Sequence, residues 1–356
     1  MLGSFKRLAL GLGLILLAAA VLLGADWGSR RHQPKTEVQL PAVAVFQFSS
    51  SAILDEFCQG AIHTLAEGGF VDGKTIRIFR FNAEGDVATA NLVAKQITDG
   101  SYRLIITAST VCLQAVASTN KGGGRTTHLF GAVTDPFIAG VGIVRGPPQE
   151  KPPYLTGMGT FQPVEAIFRQ AKALYPGLKT VGVIWNPAEI NSEVCTGKAR
   201  EICKELKITL LEASVEKTSD VNEAAGSLVS RGVQAIWTGG DATVNTGIDT
   251  VTKVAQKNRI PVFSNIAGHV KSGTLFDLGA NYEEVGRGVG AIAVRVLRGE
   301  NPADIEVTNV LPERILINYA ILKGLRDPWH FPERFVSRAD EIISADGTIR
   351  KNEGKK

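Results

Sequence analysis

One order of strands and helices occurs twice along this chain. In the first pass, apolar runs and period-2 alternation predict strands, with helices between them, at 42–47, 75–81, 104–107 and 128–133. In the second pass, the same order predicts strands at 180–185, 208–213, 235–238 and 261–264. Two similar βαβα units indicate an α/β protein with two doubly wound parallel-sheet lobes.

The chain continues after both units are complete. Further strands are predicted at 274–279, 307–311 and 315–318, the last two as a pair, and a helix is predicted at 282–297. Because these strands must join one lobe or the other, we expect several crossovers that together form a hinge. The predicted division is lobe 1 at 42–157 plus 276–311, lobe 2 at 158–275 plus 312–345, a linker at 26–41 and a frayed tail at 346–356.

The N-terminus has the pattern of an export segment. Lys6 and Arg7 precede an uncharged, mostly apolar run from Leu8 to Ala25, and a positive region followed by an apolar one is typical of a signal peptide. The run also approaches the ~20 residues that a membrane-spanning helix needs. Residues 1–25 are therefore predicted to be either a signal peptide or an N-terminal anchor, with the remainder periplasmic or otherwise outside the cytoplasm.

Composition and motifs exclude several classes of function. Lys and Arg number 39 against 35 Asp and Glu, a net charge of +4, and no basic block occurs, so nucleic acid is not an expected partner. The sequence has no G-x-S-x-G, P-loop or H-E-x-x-H motif. We therefore expect that the protein is not an enzyme and that it has no catalytic residue, bound metal or cofactor. The glycines of 286–290 predict close helix packing rather than a dinucleotide site.

The four cysteines, Cys58, Cys112, Cys195 and Cys203, are expected to be small buried residues. Cys195 and Cys203 lie on one predicted helix, too far apart along it to form a disulfide with each other. Any other pairing stays open.

Polar residues follow the predicted strands of both lobes, where ligands of open parallel sheets bind. Hydroxyl and N–H groups at helix starts can hold a carboxylate, although the same residues are ordinary helix caps. An acidic residue among Asp135, Asp241 and Glu283 could pair with an amino group, and Phe48, Trp185 or Tyr282 could stack on a planar group. The predicted lining of an inter-lobe cleft is Ser49, Ser50, Ser109, Thr110, Thr134, Asp135, Asn186, Asn191, Asp241 and Tyr282.

Several segments resemble one known family. They are Gly-Gly-Phe-Val-Asp-Gly-Lys at 68–74, Asn-Ala-Glu-Gly-Asp at 82–86, Ala-Val-Thr-Asp-Pro at 132–136, Val-Ile-Trp-Asn-Pro at 183–187 and Gly-Glu-Asn-Pro-Ala-Asp-Ile at 299–305. Together they resemble the ABC-transporter substrate-binding proteins that include tryptophan- and tyrosine-binding receptors, over about residues 42–345. The resemblance implies a type I periplasmic binding fold with three crossovers, a ligand between the lobes and an ABC permease in the membrane as partner.

Two loops depart from the family's pattern. The family usually has Thr-Pro where this chain has Ser109-Thr110, and often a loop bearing Thr or Asn where it has Gly239-Gly240-Asp241. The sequence as a whole predicts a monomeric solute-binding receptor of an ABC importer, with an amino-acid-like or carboxylate ligand that need not be tryptophan. Two alternatives stay open: a membrane-anchored sensor that passes its closure to a signalling partner, and a sugar-type ligand.

Overall fold

The structure of the protein is a computed structural model that describes residues 13, 15–22, 40–121 and 126–352. The predicted signal or anchor segment and the linker lie largely outside the described residues, of which 15–22 are helical. Within the described ranges, no helix combines the length and apolar character needed to cross a membrane. The chain divides into two compact units, Met1–Leu40 and Pro41–Lys356, and both sheets belong to the second.

The first lobe is built on a parallel sheet of six strands. Its elements are β1 (Ala42–Gln47), α1 (Ala52–Glu67), β2 (Arg77–Asn82), α2 (Val87–Ile97), β3 (Leu104–Ala108), α3 (Thr110–Thr119), β4 (Thr127–Val133), β5 (Leu155–Thr160) and, much later in the chain, α9 (Tyr282–Leu297) and β11 (Thr308–Val310). The spatial order of the strands is β11-β5-β4-β3-β1-β2. Every residue of β3 is buried, as expected of a short apolar run inside a parallel sheet.

The second lobe is built on an eight-stranded sheet. Its elements are α4 (Val164–Leu174), β6 (Thr180–Trp185), α5 (Ile190–Glu205), β7 (Thr209–Ser214), α6 (Val221–Ser230), β8 (Ala235–Thr238), α7 (Ala242–Thr246), α8 (Ile248–Lys257), β9 (Val262–Ser264), β10 (Phe276–Ala280), β12 (Glu313–Asn318), α10 (Tyr319–Leu322), α11 (Glu333–Val336), β13 (Glu341–Ile343) and β14 (Ile349–Lys351). The strand order is β14-β13-β12-β10-β9-β8-β6-β7. The sheet is mixed, because β12 runs antiparallel to β10 and β14 runs antiparallel to β13.

The chain crosses between the lobes three times. The crossings lie at 161–163 between β5 and α4, at Asn281 between β10 and α9, and at 311–312 between β11 and β12. The expectation of two doubly wound lobes joined by a multi-crossover hinge is therefore confirmed.

The structure differs from the sequence-based division at several places. Strand β10 pairs with β9 and β12 in the second sheet, so the crossing into the first lobe comes after Ala280 rather than before 276. Strands β11 and β12, expected to pair with each other, lie in different sheets. Strand β5 was not expected, and the predicted boundary at 157 falls inside it. Residues 349–351, expected to fray, form an edge strand on β13.

Helices α1 and α9 pack backbone to backbone. A Cβ atom added at Gly286 would stand 2.1 Å from the Phe57 carbonyl oxygen, and one at Gly60 would stand 2.2 Å from the Glu283 carbonyl oxygen. Only glycine permits this approach. The close helix packing predicted for the glycines of 286–290 is thus confirmed, and it places the first residue of α9, Tyr282, between the lobes.

Candidate ligand-binding cleft

A cleft lies where the carboxyl ends of the two sheets face each other. Its cavity volume is about 50 Å³, within about 500 Å³ of space that no atom fills and that includes open solvent. The lobes are in contact around it: Ile266, from the loop after β9, packs into the core of the first lobe, and Gly85 lies against Thr246. The lining residues are Ser49, Ser51, Ile53, Leu54, Ser109, Thr110, Val111, Ala132, Thr134, Gln162, Asn191, Gly240, Ala242, Asn245, Ile266 and Tyr282.

The first-lobe side of the cleft is made by the starts of two helices. Ser51 is the N-cap residue of α1. Ser109 is the N-cap of α3, where its Oγ accepts a hydrogen bond from the Cys112 N–H at 3.2 Å, and Thr110 is the first residue of that helix. N–H groups of a first helical turn lack intrahelical acceptors and favour negative charge. Together with the neighbouring hydroxyl groups, they suit a carboxylate.

The hinge and second-lobe side is lined by residues with side-chain amide groups. Gln162, in the first crossing, donates from Nε2 to the Tyr282 hydroxyl at 2.9 Å. Asn191 donates from Nδ2 to the Glu189 carboxylate at 3.0 Å and to the Gly240 carbonyl oxygen at 2.6 Å. Gln162 Oε1, Asn191 Oδ1 and Asn245 Oδ1 are buried and have no hydrogen-bond partner within the part of the chain that is described. Buried acceptors without partners are costly, so this side is suited to a ligand that donates.

Asp241 holds together the loops that follow β6 and β8. Its carboxylate accepts from the Asn186 N–H at 2.6 Å, the Ser192 hydroxyl at 2.6 Å and the Val244 N–H at 2.7 Å. Burial raises the pKa of this carboxyl group, and the nearby charge of Glu189 raises it further. Asp241 therefore shapes the cleft from behind its wall instead of lining it.

Glu189 links the same two loops at a second point. Its carboxylate accepts from the backbone N–H groups of Ala242 and Thr243 at 2.7 and 2.9 Å, and from the Thr243 hydroxyl at 2.6 Å. The side chain is buried, and its fourth donor is the Asn191 amide. Two buried carboxylates thus set the relative positions of Asn191, Gly240 and Ala242.

Six of the ten residues predicted from the sequence lie along the cleft. These are Ser49, Ser109, Thr110, Thr134, Asn191 and Tyr282. Burial among the lobes raises the pKa of Tyr282, which keeps its hydroxyl neutral.

The other four predicted residues lie elsewhere. Ser50 is exposed and accepts a hydrogen bond from Asn82 at 2.7 Å. Asp135 forms an ion pair with Arg145 at 3.2 Å, and Asn186 and Asp241 belong to the network behind the wall.

The expected charged and aromatic contacts with a ligand also differ. Of the described side chains that line the cleft, none is charged, so Asp135, Asp241 and Glu283 do not provide the expected partner for an amino group. Phe48 is buried in the core of the first lobe. The guanidinium carbon of Arg200 lies over the Trp185 ring, 5.0 Å from the ring centre.

Sequence reasoning missed Gln162, Asn245 and Glu189. Gln162 follows β5, so recognition of 155–160 as a strand would have pointed to it. Asn245 lies inside α7, seven residues after the end of β8, and only the fold brings it to the cleft. Glu189 precedes α5 and could have been noticed as a possible helix cap, although it caps α7 instead.

Comparison with known proteins adds independent observations. The family model for ABC transporter substrate binding protein matches residues 42–343. A tyrosine-binding protein of Clostridioides difficile (strain R20291) is 31% identical over 284 residues, which cover 80% of this chain and 80% of that protein.

Two solved structures are similar to this chain over most of its length. The ABC domain in complex with L-Trp from Streptococcus pneumonia is 26% identical, with a TM-score of 0.77 and coverage of 85% of this chain and 100% of that one. A conserved domain protein from Vibrio cholerae is 26% identical, with a TM-score of 0.78 and coverage of 85% and 99%.

Proposed function

We propose that this chain, which belongs to the family of ABC transporter substrate-binding proteins, binds a small amino acid with an uncharged side chain. The family implies an extracytoplasmic protein with a small-molecule ligand and a membrane permease as partner. The observation that carries the proposal is the separation of polar groups in the cleft. Helix N-termini and hydroxyl groups occupy one side, and unpaired amide oxygens occupy the other.

This separation matches the two charged groups of an amino acid. The carboxylate would lie against Ser109 and Thr110 at the start of α3. The ammonium group has only donors, and it would satisfy the oxygens of Gln162, Asn191 and Asn245.

The remaining lining limits the ligand's side chain. Ile53, Leu54, Val111 and Ile266 supply an apolar surface. An ionised ligand side chain would be buried without a countercharge, which is unfavourable. We therefore expect a neutral amino acid rather than a basic or acidic one.

The relatives support an amino acid as the ligand class. The similar Clostridioides protein is described as tyrosine-binding, and the similar Streptococcus domain was solved with L-Trp. Because Ser109-Thr110 and Gly239–Asp241 depart from the pattern of the family, the identity of the amino acid does not transfer.

We further propose that the protein acts as a monomer, without turnover and without binding nucleic acid. Closure of the lobes about the three crossings would bury the ligand and create the form that the permease receives. Residues 1–25 would serve as a signal peptide or as an anchor outside the cytoplasm.

The test is a thermal-shift screen of the purified protein against the standard amino acids, simple carboxylates and monosaccharides, followed by calorimetry on each hit. A neutral amino acid should raise the melting temperature, because a ligand at 100 times its Kd stabilises the folded state by about 2.7 kcal/mol. Analogues that lack the amino or the carboxyl group should bind about tenfold more weakly or worse.

A shift with monosaccharides, and with none of the amino acids, would contradict the proposed ligand class. Mass spectrometry of the ligand after prolonged incubation tests the absence of turnover, since the compound should be recovered unchanged.

A further inference from the structure

The orientation of the Asn191 side-chain amide is determined by its neighbours. Both N–H bonds of its Nδ2 are used, on the Glu189 carboxylate at 3.0 Å and on the Gly240 carbonyl oxygen at 2.6 Å. If the amide were turned over, its oxygen would face two other acceptors, which is strongly unfavourable. The residue is 7% exposed, and its Oδ1 is left as a buried acceptor at the cleft, without a partner among the described residues.

Glu189 is itself held in place. It is 8% exposed, and three donors from Ala242 and Thr243 occupy its two oxygens in addition to the Asn191 amide. All four of these groups donate hydrogen bonds, so both oxygens of Glu189 must act as acceptors. Glu189 does not line the cleft, but it determines which end of the Asn191 amide does.

From this geometry we infer that Glu189 is a positioning residue that makes Asn191 a hydrogen-bond acceptor and thereby selects ligands that carry an amino group. The inference rests on the proposed amino-acid ligand. An ammonium group donates to Asn191 Oδ1, whereas the corresponding methylene group of a deaminated acid leaves that oxygen buried and unpaired.

The substitution Glu189→Gln tests this directly, because it keeps the size of the side chain and replaces one oxygen by an NH₂ group. With the remaining oxygen held by Thr243, the new NH₂ takes the place of the oxygen that accepts from Asn191 and from the Ala242 N–H. Asn191 then keeps only the Gly240 carbonyl oxygen as an acceptor, and its amide is no longer fixed with Oδ1 toward the cleft. The Kd for the amino acid should rise about tenfold or more, while the Kd for its deaminated analogue should change less than about threefold.

The probes are L-leucine, L-tyrosine and L-tryptophan with their deaminated counterparts, 4-methylpentanoate, 3-(4-hydroxyphenyl)propanoate and 3-(indol-3-yl)propanoate. Calorimetry on the full chain measures the ratio of the two Kd values for the amino acid that binds the wild type most tightly. A control is Asp277→Asn, which alters another buried carboxylate of the second lobe that accepts from the Gly268 and Val270 N–H groups. It should leave the ratio unchanged.

A double-mutant cycle separates positioning from a general structural effect. Asn191→Ala removes the amide that Glu189 orients, so adding Glu189→Gln to Asn191→Ala should leave the ratio of the two Kd values unchanged. Asn191→Ala alone should lower the preference for the amino group, and it keeps the inference testable if Glu189→Gln does not fold.

Two results would overturn the inference while leaving the proposed function intact. One is an equal loss of affinity for the amino acid and its deaminated analogue in Glu189→Gln. The other is a further change of the ratio by about tenfold or more when Glu189→Gln is added to Asn191→Ala. If the wild type binds none of the three amino acids, the proposed function fails for these probes and the inference fails with it.

Discussion

Asp277 is a buried carboxyl group whose ionisation opposes folding. It accepts hydrogen bonds from the Thr274 hydroxyl at 2.5 Å and from the N–H groups of Gly268 and Val270 at 3.0 and 2.8 Å. Burial nevertheless raises its pKa to about 7, against the lowering effect of these bonds. Because the folded state holds the proton more tightly than the unfolded chain, its contribution to stability is present at low pH and lost as pH rises through about 7.

Two buried histidines give the opposite dependence of folding stability on pH. Burial lowers the pKa of His128 and of His269 to about 3. A histidine that stays neutral in the folded state contributes stability above its unfolded pKa of about 6.5, and that contribution is lost as pH falls. The stability of the wild type alone therefore mixes both effects, and a variant is needed to isolate Asp277.

The substitution Asp277→Asn should remove the contribution of this carboxyl group to the pH dependence of stability and leave the contributions of the other groups. Asparagine can still accept from the two backbone N–H groups, while its NH₂ donates to Thr274. Between pH 5 and pH 8, the free energy of unfolding of the wild type should fall by about 2–3 kcal/mol relative to the variant. Urea unfolding of both proteins across this range measures the difference. A difference that is constant with pH would show that Asp277 does not titrate in the window.

At the scale of elements, the crossing of α1 and α9 matters most for the cleft. Both helices begin at it: the N-cap Ser51 precedes α1, and Tyr282 begins α9. The glycines at the crossing let the two backbones touch, with no side chain at the contact that could yield. Any side chain placed there would move α9, and with it the Tyr282 hydroxyl that accepts from Gln162.

The substitution Gly286→Ala should destabilise the protein by about 3 kcal/mol, because the added methyl group meets the backbone of Phe57. A matched control is Gly226→Ala in α6, where an added Cβ has no atom within 4 Å. That change should stabilise the protein by about 0.5–1 kcal/mol, since alanine favours the helix. Thermal or urea unfolding of the two variants checks the opposite signs. Equal effects at both positions would argue against the close crossing.

At the scale of the whole molecule, the lobes meet across the cleft as well as at the hinge. A Cβ added at Gly85 in the first lobe would lie 3.7 Å from the Thr246 Oγ1 and Cγ2 atoms in the second. The four native cysteines are buried and unpaired, and burial raises the pKa of Cys58 and Cys203 to about 12. New cysteines at the surface would therefore be the reactive ones.

The double substitution Gly85→Cys and Thr246→Cys should form a disulfide that holds the lobes together, since a Cβ at position 85 lies 3.7 Å from the Thr246 atoms that the new sulfur would replace. Cysteine at position 85 costs about 1 kcal/mol, because the backbone there has a φ of 77°. Oxidation should slow ligand dissociation about tenfold or more, and a reductant should restore it. Stopped-flow fluorescence or surface plasmon resonance measures the rate, with the two single variants as controls. If mass spectrometry verifies the disulfide and the rate of ligand dissociation is unchanged, closure of the lobes at this contact is refuted.

Much of this architecture could be predicted from local patterns. The repeated order of apolar runs identifies the strands of both lobes. Asp86 is a typical N-cap residue directly before α2, and it accepts from the Thr89 N–H at 2.6 Å. Such features depend on neighbouring residues, so periodicity and capping chemistry suffice to find them. The general place of the cleft followed as well, because it lies beyond the carboxyl ends of the strands.

The sequence by itself determined the two lobes and the hinge with several crossovers. It also identified many of the Ser, Thr and Tyr residues whose hydroxyl groups line the cleft. Only the tertiary structure decided that β10 belongs to the second sheet, since an apolar strand shows its burial but not its hydrogen-bonding partner. Only the tertiary structure also decided that Gln162 faces the cleft and that Asp241 and Glu189 stand behind its wall. Their donors come from loops far apart in the chain, and a buried carboxylate turns toward the donors that the fold supplies.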